Sequence, residues 1–191
     1  MSNSKYLRSA VAALGTVAVI GFAAPSAHAQ GTTVTITSTF SGTFSSTHMD
    51  TNGDGLRATS QNVRLLGPLG ASTLDGINEF AITGPGTCAS GNPGTLFSFL
   101  SGPAAPSSLV QRAETNGDLL FYNQMSGSAC FDSVTGILSA QASGVIVDGT
   151  GALKGAKGTF TLTSNATFLF FNLVDAFGPQ SGTFTQTVTL P

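Results

Sequence analysis

Positive charge is scarce in this sequence: seven lysines and arginines stand against nine acidic residues in 191. Lys5 and Arg8 sit near the N-terminus, which leaves Arg57, Arg64, Arg112, Lys154 and Lys157 scattered over the rest. No basic patch can form from them, and that excludes a nucleic-acid partner. Histidine is rarer still, with only His28 and His48. A Ser-His-Asp set, a zincin helix and a cysteine pair at metal spacing are all missing. No cofactor is expected. Helical periodicity with caps is absent as well.

What is present begins with a leader. Lys5 and Arg8 precede an apolar run from Ala10 to Ala24, and Ala27-His28-Ala29 forms a small-x-small cleavage site. The pattern predicts a signal peptide over 1–29 and a single mature domain over 30–191. The apolar run is too short and too weakly hydrophobic for a membrane span, so no spanning is expected after cleavage. The expected location is secreted, or periplasmic in a Gram-negative source. Two cysteines, Cys88 and Cys130, remain in a chain addressed to an oxidising compartment. One disulfide between them is predicted.

The strongest regularity has a period of two. Val34, Ile36, Phe40 and Phe44 share one parity, while Thr33, Thr35, Thr37, Thr39 and Thr43 share the other. The pattern returns in Thr159, Thr161 and Thr163 against Phe160 and Leu162, and in Thr183 to Thr189 against Phe184, Val188 and Leu190. Strands with an apolar face and a hydroxyl face follow from this, as in antiparallel sheets with one wet side. Gly-Thr-Phe recurs at 42–44, 158–160 and 182–184 without a fixed repeat period. Further strands are expected at 62–66, 74–82, 95–100, 108–114, 119–125, 136–147 and 166–174. Leu109 to Gln124 reads as a hairpin turning at Asn116-Gly117. The fold class is therefore all-β, a sandwich or a barrel. A membrane barrel is disfavoured, because the apolar faces are short and lack aromatic girdles.

The stretch VIVDGTGALKGAKGTFTLTSN poses a sharper question, since it carries Gly149, Gly151, Gly155 and Gly158. A dinucleotide fingerprint needs a glycine where Lys154 stands, and a Walker loop needs Gly-Lys-Ser/Thr. A strand follows, so no helix N-terminus faces an anion. The glycines are expected to shape the backbone. A strand, then Gly-x-Gly-x-x-x-Gly-Ala-x-Gly, then a strand resembles the signature shared by plant dirigent proteins and allene oxide cyclases. Gly149, Gly151, Gly155, Ala156 and Gly158 carry the match, and Ala152-Leu153 stands where an aromatic is usual. The resemblance runs from Gly117 to Thr163. It implies a closed, calycin-like antiparallel barrel of about eight strands whose apolar lumen holds an oxidised lipid or a phenolic product.

Two further sets of residues are candidates for chemistry. Asp50, Asn52 and Asp54, with Gly55, match the opening of a calcium loop, but Gln61 replaces its closing glutamate. The alternative is an Asx-rich turn around Asn52-Gly53. Glu79, on the same predicted strand face as Asp75 and Ile77, could act as a general acid or base if it faced an apolar lumen, with Tyr122 adding a hydroxyl. Three functions stay open at this point. The first is a binder of a small apolar molecule, and the second an isomerase or cyclase using Glu79, Asp75 and Tyr122. The third is a structural or surface protein that presents its threonine faces. Oligomeric state is open too.

Overall fold

The computed structural model describes residues 31–50, 53, 55, 57–68, 70–100, 107–171 and 175–191. The predicted leader over 1–29 lies outside the described residues, as do Asn52 and Asp54. The period-two stretches form β1 (Thr33–Ser46), β2 (Thr59–Gly67), β3 (Gly70–Asn78), β4 (Phe80–Thr87), β5 (Pro93–Phe99) and β6 (Ser107–Ala113). They continue as β7 (Leu119–Asp132), β8 (Ile137–Gly149), β9 (Lys157–Thr167), β10 (Phe170–Phe171) and β11 (Ala176–Thr189). All pairings are antiparallel.

Strand order β7-β6-β3-β2-β1-β11-β9-β8 closes on itself through the β7–β8 pairing. The result is a closed eight-stranded barrel, which leaves no free edge within its wall. β7 is long enough to serve two partners on one side. Its first residues pair β6, from Leu119 to Tyr122, and its last pair β5, from Ser128 to Asp132. The β4–β5 hairpin therefore extends from the barrel as a flap.

Alternation sorts the side chains. Phe40, Val63, Leu65, Leu74, Leu109, Tyr122, Phe160, Leu162 and Phe184 all point inward and form one buried cluster. Tyr122, Phe160 and Phe184 meet at centroid distances of 5.3 to 5.5 Å, with Phe160 stacked on Phe184 and both edge-on to Tyr122. The recurrent Gly-Thr-Phe places glycine and phenylalanine inside and threonine outside. Gly182 lies opposite Phe40, and a Cβ there would sit 2.9 Å from the Phe40 ring and 1.9 Å from the Thr163 carbonyl oxygen. Glycine makes the room that a ring needs.

Two expected elements differ. The strand expected at 74–82 divides at Glu79, because Asn78 is the last residue to pair with β2 and β6 at the rim. From there the Glu79 carbonyl accepts from the Leu100 amide, and the chain joins β5 instead. The strand expected at 166–174 is the end of β9 followed by the two-residue β10, with 172–174 outside the described residues.

Candidate functional site

The N-terminus of β1, the C-terminus of β11, the β2–β3 turn and the start of β7 surround one mouth of the barrel. Above the aromatic cluster there lies a cavity of about 240 Å³. Val34, Ile36, Leu120, Leu153, Val188 and Leu190 give it apolar walls, and Ser38, Ser72, Gln111 and Gln186 contribute polar groups. Gln186 is 3% exposed and shares the inward parity of Phe184 and Val188. Its Oε1 accepts from the Tyr122 hydroxyl at 2.6 Å, and the same hydroxyl contacts Gln111 Oε1. Gln111 Nε2 in turn donates to Ser72 Oγ at 2.8 Å. One phenolic proton can serve only one acceptor, so one of the two amides must turn its NH₂ towards the phenol oxygen. Burial pushes the Tyr122 phenol well above its ordinary pKa, so it stays a neutral donor. The cavity floor is a neutral hydrogen-bonding relay.

The glycine loop forms part of the wall. Asp148 Oδ1 accepts from the amides of Gly149 (2.8 Å) and Gly155 (2.9 Å). The Gly149 and Gly155 amides, followed by Lys157 and Lys154, hold its carboxyl below the ordinary range, against the effect of burial. Asp118 Oδ2, at the β6–β7 turn, accepts from the Ala152 amide at 3.1 Å and from Asn116 Nδ2 at 2.9 Å. Protein carboxylates thus occupy the amides that a phosphate would need. Gly151 has φ +55, and a Cβ there would fall 1.9 Å from Asp118 Oδ1. Gly155 has φ +81. At Gly149 a Cβ would meet the Leu153 carbonyl oxygen at 2.3 Å, and at Gly158 the Thr187 carbonyl oxygen at 1.9 Å. The loop packs Leu153 against the core.

The residues singled out for catalysis do not converge. Tyr122 lies inside the barrel and is 2% exposed. Asp75 is exposed on the outer face, where its carboxylate accepts from Asn62 Nδ2. Glu79 is fully buried at the β3–β4 junction. Its expected common face with Asp75 and Ile77 is lost because the strand breaks between them. Asp50 uses both carboxylate oxygens within its own turn, accepting from Gly53 N at 2.7 Å and Gly55 N at 3.0 Å. No group of three metal-binding side chains occurs among the described residues.

At the other end of the barrel, Cys88 and Cys130 are joined by a disulfide with a Cα–Cα distance of 5.6 Å. The bridge crosses β5 and ties the flap to β7. Beside it, Asp132 accepts from Ser90 Oγ (2.6 Å), Asn92 Nδ2 (2.9 Å) and the amides of Val134 (2.9 Å) and Thr135 (3.0 Å). These bonds, Ser90 first, hold its carboxyl far below the usual range and outweigh desolvation.

Strand closure and the mouth cavity define a class: a closed eight-stranded antiparallel β-barrel with a small interior recess at one end. No family model matches the chain, and no curated protein matches it either. Among solved structures it is similar to a pterocarpan synthase dirigent protein, with 12% identity over 84% of this chain and 88% of that one, at a TM-score of 0.34. A likeness of that size carries no argument about chemistry. The barrel stands on its own strand pairing.

Proposed function

We propose that this is a secreted, non-catalytic barrel that binds a small apolar molecule carrying a hydrogen-bonding oxygen. On this reading it is a member of the allene oxide cyclase/dirigent-like family. The observation that carries the proposal is the mouth cavity: apolar walls closed below by the Gln111–Tyr122–Gln186 relay. Concave, mostly apolar sites with a few convergent polar groups are the usual form of small-molecule sites. Binding is favoured over isomerase or cyclase chemistry because Glu79 and Asp75 stand away from the cavity and Tyr122 is held neutral. Asp118 lines the cavity, but its carboxylate is engaged by Ala152 and Asn116. The leader-like N-terminus and the disulfide both support an oxidising destination.

Native mass spectrometry of protein purified from its own culture medium tests this. The expected result is an adduct that organic extraction removes. A bare polypeptide mass, unchanged by added 2-naphthol, would overturn the binding reading. A second reading, a surface protein, draws support from the aromatic cluster that fills the middle of the lumen, and it uses the outer face.

A further inference from the structure

The outer face of β1, β11 and β9 carries threonine in two-dimensional register. Across the three strands the rows are Thr39–Thr183–Thr163, Thr37–Thr185–Thr161 and Thr35–Thr187–Thr159. A fourth row begins Thr33–Thr189 and ends at Lys157. Neighbouring hydroxyls meet at 2.8 Å (Thr33–Thr189), 3.0 Å (Thr35–Thr187 and Thr37–Thr185) and 2.6 Å (Thr163–Thr183). Each such pair uses one of its two O–H protons internally and keeps the other, with free lone pairs. The grid therefore offers donors and acceptors in ranks, separated by methyl groups.

Sheet geometry fixes the spacing at about 4.8 Å between strands and about 6.7 Å between alternate residues along them. The inter-strand spacing is close to the shorter oxygen repeat of the hexagonal ice lattice. χ1 stiffness of threonine and the packed core beneath it, Phe40, Phe160 and Phe184, keep the array ordered before any partner arrives.

We propose that this threonine grid is an ice-facing surface. Its neutrality points there: no charged residue occupies the nine central positions, so neither a nucleic acid nor a charged lipid surface is matched. A protein interface of this extent would carry an aromatic or apolar centre, which the grid lacks. A crystalline polysaccharide would call for exposed aromatic platforms, and the grid has none. A regular, uncharged lattice of hydroxyls fits a regular, uncharged lattice of water. The mouth cavity takes no part, so this inference and the ligand reading fail independently.

Thermal hysteresis and ice-recrystallisation inhibition of the purified protein test the proposal. Wild-type protein should inhibit ice growth. Thr185→Tyr, at the centre of the grid, should lose most of that activity, and Thr87→Tyr, exposed at the end of β4, should keep it. Thr161→Lys, on the exposed flank, serves as a second disruption should Thr185→Tyr fail to fold, with melting curves reporting folding. Wild-type protein that leaves ice growth unaltered would overturn the proposal. So would full activity in a folded Thr185→Tyr or Thr161→Lys. Adsorption to crystalline cellulose or chitin that these variants abolish, without any effect on ice, would assign the grid to a polysaccharide instead.

Discussion

The two ends of the barrel are built by different means. At the mouth, β2 and β3 are joined at Gly67–Gly70, β6 and β7 turn within Thr115–Asp118, and the β8–β9 loop folds down under two aspartates. Connections this short cannot reach over the opening, so a recess remains above Tyr122. The far end carries the β1–β2 connection and the β4–β5 flap. Phe44, Phe168 and Phe131 pack edge-to-face there, as Phe80 does with Phe97. The disulfide and the Asp132 clamp fasten the same end. Labour is divided between them: one end is fastened by covalent and aromatic contacts, and the other is kept short and open.

Phe184→Ala should have the largest effect, since that ring lies between the two ends and is fully buried. Loss of transfer energy plus the cavity left behind predicts about 3–5 kcal/mol of destabilisation by urea denaturation. A loss under about 1 kcal/mol would mean the aromatic cluster does not hold the barrel together.

Replacing both cysteines, Cys88→Ser with Cys130→Ser, loosens the far end most. With 42 residues separating the pair, chain entropy predicts a loss of about 4 kcal/mol for the whole fold. Hydrogen exchange should rise more in the flap than in the β1–β11–β9 wall, where amides that exchange by global unfolding lose only what the whole fold loses. Equal acceleration in both regions would break the proposed division.

Gly151→Val acts at the mouth. A β-branched residue at φ +55, pressed against the Asp118 carboxylate, should cost about 1–3 kcal/mol in thermal unfolding. Lys154→Ala, in the same loop but exposed, should stay within about 0.5 kcal/mol of wild type. Wild-type stability in Gly151→Val would show that the loop can re-route without glycine.

Much of the wall was legible in the sequence, because alternating threonine and apolar residues are a direct imprint of the pleat. The all-β class and the barrel follow from that imprint and from the glycine signature. Closure through β7–β8 was less visible: it joins residues brought together only when the whole sheet curls, and no local pattern encodes such a register. The break at Glu79 was hidden for a similar reason, since an apolar run such as NEFAI does not reveal that its partner changes midway. Within the cavity, Gln111 and Gln186 carry a signal of their own. Each is a glutamine on the apolar parity of its strand, beside Leu109 and between Phe184 and Val188. A polar residue in that position has to find a buried partner, and both find Tyr122.

The most direct measurement is a 2-naphthol fluorescence titration of wild-type protein beside Ala113→Phe. Ala113 lines the cavity from the end of β6, and a phenyl ring there fills the recess without entering the aromatic cluster. Saturable binding to the wild type is expected, with at least about tenfold weaker binding to Ala113→Phe, equivalent to about 1.4 kcal/mol, and a nearly unchanged melting temperature. Equal affinity in the two proteins would place the probe elsewhere and contradict the assignment of the mouth as the binding site.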